Sequence, residues 1–257
     1  MVLIFKKEEM EVSIYVTGDI HGEFSRIADV THFFKYKEED YFIICGDFGI
    51  WDTKNVKTLL KMASFFPCTV LFCDGNHENF NLLYSFPIVD YHGGKAHKIA
   101  DNIYHLMRGE IYDIEGKKFF SMGGASSHDI QDGILDPKDR YFSRNRRRLE
   151  EQGRYMYRIK GRSWWPEEMP SKEEYEHARE NLKKVNYQVD YIITHCAPTR
   201  MQTQFNGSFK EDELTDFLNE IFITTEFKHW YCGHYHANID LKKEFTILYG
   251  QVRKVEE

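Results

Sequence analysis

The chain has 257 residues, 42% of them hydrophobic and 16% aromatic, so it can bury a large core and lies near the upper size for one domain. A formal charge of -7 and a pI near 6.0 exclude a global attraction to nucleic acid or to an anionic membrane, leaving only local basic patches for such partners. Its five cysteines form no CxxC pair and sit mostly inside apolar runs, which reads as buried thiols in a reducing compartment; no signal-peptide pattern and no apolar window of about 18 residues occurs, so the expected location is cytoplasmic, away from membranes.

In chain order, residues 12–17 are β-rich and end at Gly18-Asp19-Ile20-His21-Gly22, after which Phe24, Ile27, Ala28, Thr31 and Phe34 recur at helical spacing over residues 23–35. Residues 41–45 end at Gly46-Asp47-Phe48-Gly49, and Val56, Leu59, Leu60, Met62 and Ala63 outline a second helix. Residues 68–73 end at Asp74-Gly75-Asn76-His77-Glu78, with a short helix over 80–84. Three successive strand–loop–helix units predict a mixed or mainly parallel sheet that presents polar groups at its strand C-terminal ends.

The pattern then changes to strand-like pieces at 102–106, 110–114 and 118–122, the last two joined by Glu115-Gly116, which predict antiparallel pairing in a second sheet. Residues 124–170 have no clear period and read as an insertion or cap on a single domain spanning 1–257. A helix opens at Ser171, with Glu174 completing a capping box, and runs to about Val185. A strand at 189–194 leads to His195, a helix follows at 211–222, and a strand at 230–232 leads to Gly233-His234-Tyr235-His236. A hairpin of 237–241 and 245–249 closes the chain.

Five ligand-bearing loops therefore follow buried strands. Asp19, His21, Asp47, Asn76, His195, His234 and His236 offer two carboxylates, an amide oxygen and four imidazoles, with no thiolate. That set suits divalent transition metals, with Mn, Fe, Zn, Ni or Co as candidates and Mn preferred, and one bridging carboxylate can hold two ions roughly 3.5–4 Å apart. Two such cations would turn a shared water into hydroxide near neutral pH and neutralise phosphate oxygens, so hydrolysis of a phosphate ester is the natural use. Taken singly, each of these residues reads as a turn or core residue; their joint order carries the argument.

Asp19-x-His21, Gly46-Asp47, Gly75-Asn76-His77-Glu78, His195 and Gly233-His234-x-His236, in this order, resemble the calcineurin-like metallophosphoesterases, over motifs that span residues 18–236. The resemblance is closer to uncharacterised bacterial and phage-borne members that share Asp-Gly-Asn-His-Glu and Gly-Gly-Ala-Ser-Ser. It implies an α/β (α+β) four-layer sandwich of two facing mixed sheets flanked by helices. It implies that Asp19, His21, Asp47 and His236 bind one metal, and that Asp47, Asn76, His195 and His234 bind a second, with Asp47 bridging. His77 would contact the substrate phosphate and assist the leaving group after attack by a metal-bridging hydroxide. Protein phosphatases of this superfamily carry arginines in Gly-Asp-x-Val-Asp-Arg-Gly and Arg-Gly-Asn-His-Glu; this chain has Phe48-Gly49-Ile50-Trp51 and Asp74 there, and Asp74 would repel a phosphoprotein dianion if it faced the site.

The substrate side is less determined. His128 and Asp129 in the Gly-Ala-Ser-Ser-His-Asp segment could touch substrate or belong to a packed strand exit. The arginines between 144 and 162, Arg162 included, could clasp a polyanion, and Trp164 and Trp165 could stack on a base; alternatively the arginines form a solvated helix and the tryptophans anchor the insertion. Asp74 and Glu78 either orient the ligands from behind or cap the next helix. His92 sits beside the site or in a turn, whereas His32, His97, His105, His177 and His229 read as structural. The expected substrate is a nucleotide, a nucleic-acid end or another small phosphate mono- or diester; the alternatives are a non-catalytic phosphate- or nucleic-acid-binding protein on the same fold and, less favoured, a protein phosphatase. No obligate protein partner is indicated, and oligomeric state is not encoded in the motifs.

Overall fold

The computed structural model describes residues 12–23, 36–63 and 66–256, so the helix read over 23–35 falls almost wholly outside the described residues. The first strands are β1 (Ile14–Thr17) and β2 (Tyr41–Ile44), followed by helix α1 (Thr53–Ala63), β3 (Thr69–Phe72) and the one-turn helix α2 (Phe80–Leu83). Asp52 starts α1 by accepting from the backbone N–H groups of Lys54 and Asn55. The cap of α2 is Asn79, which accepts from Leu82 N, so neither Asp74 nor Glu78 serves as that cap.

Strands β4 (Ile88–Tyr91), β5 (Gly94–Ala100) and β6 (Ile103–Leu106) then form a meander, and β7 (Ile111–Ile114) and β8 (Lys117–Met122) a hairpin. The β4–β5 turn is His92-Gly93, both at positive φ, and His92 Nδ1 lies 2.9 Å from the carbonyl of Asp113; His92 is thus a turn residue. The segment 102–106 does not join the second sheet as expected. β6 pairs in parallel with β3 and antiparallel with β5, and the chain crosses between sheets only after Leu106.

Residues 124–170 fold as β9 (Gly133–Leu135), α3 (Phe142–Glu151), β10 (Tyr157–Ile159) and a 3-10 turn at Pro166–Glu168, with β9 and β10 in a separate two-stranded parallel ribbon. No residue of α3 is buried, which is the solvated arginine helix. Helix α4 (Lys172–Lys184) opens with the capping box of Ser171 and Glu174. After it come β11 (Tyr191–Thr194), α5 (Thr199–Phe205), α6 (Glu213–Thr224), β12 (His229–Cys232), β13 (Ile239–Lys242), β14 (Phe245–Ile247) and β15 (Arg253–Lys254).

The strands form a seven-stranded sheet in the order β15-β1-β2-β3-β6-β5-β4 and a six-stranded sheet in the order β13-β14-β12-β11-β8-β7. In each, four central strands are parallel and the edges antiparallel. Alternation along each central strand divides its side chains between two cores. Ile14, Val16, Ile43, Leu71 and Leu106 meet Phe119, Tyr191, Ile193 and Tyr231 between the sheets. Phe42, Ile44, Val70 and Phe72 face Val56, Leu59, Phe80 and Leu83 on the outside of the first sheet. Phe120, Met122, Ile192, Trp230 and Cys232 face Tyr175, Leu182, Met201, Phe217 and Ile221 on the outside of the second. The result is four layers, helix–sheet–sheet–helix. Central strands covered on both faces read as unbroken apolar runs, which is why they were legible in the sequence.

Candidate metal centre

The parallel central strands of both sheets present their C-terminal ends along one edge. From the first sheet, β1 leads to Asp19 and His21, β2 to Asp47, and β3 to Asn76 and His77; from the second, β11 leads to His195, and β12 to His234 and His236. Close approach between these loops depends on glycine at two places. A Cβ at Gly46 would lie 2.1 Å from His195 Nδ1, and one at Gly75 would lie 2.1 Å from Asp47 Oδ1.

Six of the seven residues expected as ligands, all but Asn76, are linked by short contacts. His21 Nε2 and His236 Nε2 are 3.2 Å apart, and Asp19 Oδ2 is 3.9 Å from the first and 3.2 Å from the second. Asp47 Oδ2 lies 3.8 Å from His21 Nδ1 and 3.4 Å from His195 Nε2, between the two halves of the set. Among the described residues, two overlapping carboxylate–imidazole trios have donor atoms mutually within 4.8 Å: Asp19, His21 and His236, and Asp19, Asp47 and His195. The rings of His195 and His234 are 4.9 Å apart, and Asn76 follows β3 on the same loop as His77, its amide bonded to Ser127. His21, Asp47, His234 and His236 all have φ between 47° and 69°, a left-handed backbone that non-glycine residues adopt at a cost and that clusters at functional sites.

The atoms left without partners test whether these residues fit a cation. Asp19 Oδ2, Asn76 Oδ1 and His195 Nε2 are buried without a well-formed hydrogen bond, and the first and last face other candidate ligands, His236 Nε2 at 3.2 Å and Asp47 Oδ2 at 3.4 Å. Their neighbouring atoms are tied down: Asp19 Oδ1 accepts from His234 N at 2.8 Å, Asn76 Nδ2 donates to Ser127 Oγ, and His195 Nδ1 lies 2.8 Å from the carbonyl of Cys45. With Nδ1 turned to that carbonyl, Nε2 is the atom that His195 points into the cluster, and it becomes a ligand once a cation displaces its proton. Each residue thus holds one atom by the protein and leaves the ligating one free. Oxygen and imidazole nitrogen together fit divalent transition metals.

The electrostatics agree. Burial alone would lower the His195 pKa, but the neighbouring Asp47 and Asp19 carboxylates outweigh it and raise it to about 10. Burial would raise Asp47, yet His195, His77 and His21 hold it below the usual carboxylate range. For His234, burial followed by the neighbouring His195 and His128 pushes the pKa well down, so its ring is neutral. The pocket strongly favours positive charge between its carboxylates.

Around these residues the structure separates the remaining candidates. His77 N donates to Asp47 Oδ1 at 2.9 Å and its carbonyl accepts from Trp51 Nε1, so its backbone is fixed beside the cluster. Glu78 is fully buried and accepts from Gly49 N and Ile50 N, joining the Asp47 loop to the Asn76 loop; burial, then the Asp47 charge, raises its pKa to about 8. Asp74 faces the other way: it is buried against Arg108 and His105, with Arg108 Nε donating to Oδ2 at 3.0 Å and His105 Nε2 3.0 Å from Oδ1. The feared repulsion of a phosphoprotein by Asp74 therefore does not arise. His128 lies against the candidate ligand His234, with 2.6 Å between their Nε2 atoms, and Asp129 pairs with Arg158.

The structure places the cap's expected substrate contacts at different depths. Trp165 is buried in the core outside the first sheet, where it anchors the insertion. Arg162 is exposed in the turn between β10 and Trp164, and the arginine that reaches the cluster is Arg158, with Nη2 3.4 Å from His77 Nδ1. Trp164 is half-buried beside that turn. Sequence reasoning also missed Ser127 and Glu168. Ser127 Oγ donates to Glu168 Oε2 at 2.7 Å and accepts from Asn76, so Glu168 steadies Asn76 from behind. Its signal was a carboxylate set between Trp164-Trp165-Pro166 and Met169-Pro170, an apolar setting that a solvent-exposed glutamate does not need.

A profile described as calcineurin-like phosphoesterase matches residues 12–238, and the chain belongs to this family of metal-dependent phosphoester hydrolases. Among solved structures, the chain is similar to TT1561 of Thermus thermophilus at 8% identity, covering 95% of this chain and 98% of that one with a TM-score of 0.47. It is also similar to a protein serine/threonine phosphatase from Saccharomyces cerevisiae at 13% identity, covering 95% and 68% with a TM-score of 0.38. No curated protein matches the sequence.

Proposed function

We propose that this chain is a dinuclear metallophosphoesterase of a nucleotide, nucleic-acid end or other small phosphate ester, working in the cytoplasm as one domain capped by residues 124–170. The observation that carries this reading is the trio of buried, partnerless atoms Asp19 Oδ2, Asn76 Oδ1 and His195 Nε2, each on a residue whose other polar atom is held by the protein. Asp19, His21, Asp47 and His236 would hold one ion and Asp47, Asn76, His195 and His234 the other. Asp47 suits the bridging role because Oδ2 lies between His21 and His195. When bound, two divalent cations, with Mn as the first candidate, supply Lewis acidity that lowers the pKa of water and offsets phosphate charge.

The chain's own residues do the rest. The hydrogen bond from His77 N to Asp47 Oδ1 fixes the imidazole of His77 at the rim of the cluster, where it donates a proton to the departing oxygen. Glu78 locks the loops that carry Asp47 and Asn76 to one another, keeping ligands and proton donor in register. Five buried free thiols support a reducing compartment.

The test is a panel of aryl phosphate mono- and diesters, cyclic phosphates and nucleotides on Mn-loaded protein, with elemental analysis of bound metal. His77→Ala should lower turnover at least 100-fold, in the range of general acid catalysis, while both metals stay bound. Full activity in that variant would remove the role given to His77, and protein that takes up no metal would remove the reading of the site.

A further inference from the structure

The sequence lacks the two arginines that protein phosphatases of the superfamily use on phosphate, but the fold brings another cation to the same cluster. Arg158, on β10 of the cap, has a side chain that is 15% exposed and directed at His77. Its guanidinium is held on three sides. Nε and Nη2 each donate to Asp129 at 2.7 Å, and Nη1 donates to the carbonyl of Ser163 at 3.1 Å. Ser163 is itself fixed, accepting from Ile159 N at 2.8 Å. Asp129 follows His128, whose ring rests on the ligand His234, and Ser127 holds Asn76, so residues 127–129 form one braced rim. Nη2 therefore sits 3.4 and 3.5 Å from the two ring nitrogens of His77, its second N–H turned to that ring, where a phosphate oxygen can take it over. A forked guanidinium pre-oriented by a carboxylate is suited to binding phosphate.

We propose that Arg158 is a substrate-phosphate clamp contributed by the cap, with Asp129 as its positioning residue, and that it biases the enzyme toward phosphomonoesters. This rests on the function proposed above. A monoester offers one more terminal oxygen and one more negative charge than a diester, and Arg158 gives that oxygen a charge-assisted donor. A diester carries a neutral ester group at that position, which gains nothing from the guanidinium and competes with it for room. The basic helix α3 is not part of this clamp. Tyr157 contacts Arg146 and Glu150 of α3, and alternation along β10 directs the neighbouring Arg158 to the opposite face.

The experiment compares Mn-loaded wild type, Arg158→Gln, Arg158→Lys and Asp129→Asn with p-nitrophenyl phosphate and bis(p-nitrophenyl) phosphate, and titrates inorganic phosphate by calorimetry. In Arg158→Gln the monoester-to-diester ratio of kcat/KM should fall about 10- to 100-fold, the worth of one charge-assisted hydrogen bond. Inorganic phosphate should bind correspondingly more weakly at unchanged metal content. Arg158→Lys keeps the charge but loses the fork, and should recover only part of the ratio; Asp129→Asn should raise KM more than it lowers kcat. An unaltered ratio in both Arg158 variants, or a wild type that prefers the diester, would overturn the clamp while leaving the metallophosphoesterase reading intact. Wild type that binds no metal and hydrolyses neither ester would overturn that reading first.

Discussion

Replacing Arg108 by Met should destabilise the protein by about 3–5 kcal/mol, the cost of leaving one partner of a buried ion pair behind. Arg108 and Asp74 are both buried, and the arginine donates to both oxygens of Asp74, to the Glu167 carbonyl and to Glu174. Once it is removed, Asp74 keeps only His105. With a urea m-value near 2–3 kcal/mol/M, the unfolding midpoint should move down by roughly 1–2 M. The pH dependence identifies the cause. Burial alone would raise the Asp74 pKa, but Arg108 and then His105 hold it well below the ordinary value of 3.8. That depressed pKa contributes stability that is present above the unfolded pKa and is lost as pH falls through the folded one. The deficit of Arg108→Met should therefore be largest near neutrality and shrink toward pH 4, as the isolated carboxyl of the variant takes up a proton. Asp74→Asn combined with Arg108→Met should cost less than the single arginine change, because no charge is stranded. Denaturation curves at pH 7 and pH 4 that show the same deficit, or a double variant as unstable as the single, would refute this reasoning. Because Asp74 directly precedes Gly75-Asn76-His77, the single variant should also bind Mn more weakly.

Two further outcomes follow from the same physics. Burial raises the Glu168 pKa from 4.5 to about 8, so the unfolded chain ionises this group first and stability is lost as pH rises from about 4.5 to about 8; Glu168→Gln should remove that loss, worth about 5 kcal/mol at most, and thermal-melt differences between variant and wild type that stay flat over this range would rule it out. Gly46→Ala puts a Cβ against His195 at a backbone φ of 89°, so it should cost about 2–3 kcal/mol from left-handed strain and the lost His195–Cys45 contact, and weaken Mn binding at least tenfold in a calorimetric titration; wild-type affinity would show that the loops have room to spare.

What was legible in the sequence is what repeats a local signal. Central strands such as β2 and β3 are buried on both faces and appear as apolar runs ending in glycine, and the Ser171–Glu174 capping box marks its helix directly. The sheet to which 102–106 belongs could not be read, because β6 looks the same whether it pairs with β3 or β8; the crossover at 107–110 decides it and carries no periodicity. Helix α5 was missed because it is seven residues long, with only Met201 and Gln202 buried, and its one signal is Pro198 at the cap. β15 consists of two exposed residues that pair with β1 across more than two hundred residues of chain. In the site, ligand positions follow strand ends and were readable, whereas Arg158 and Glu168 act through contacts between the cap and distant loops. One arginine among the eight in residues 124–170 has no local mark, and only the fold distinguishes Arg158 from Arg162.

The cap then has a definite place in the chemistry. Its two ends do different things to the same loop: Glu168, through Ser127, holds the amide of Asn76, and Arg158, through Asp129, stands over His77. Asn76 and His77 are adjacent, one a candidate metal ligand and the other the candidate proton donor, so the cap can set the angle between the metal pair and the leaving group without supplying a ligand itself. Trp165, buried in the first sheet's outer core, is what makes that leverage rigid, since it roots the segment between Arg158 and Glu168 in the scaffold. A helix as solvated as α3 needs no further role for its arginines. On the proposed clamp, selectivity would be carried by the cap's inner edge, where residues 127–129 and Arg158 meet His77 and His234, and changes confined to α3 should leave it untouched.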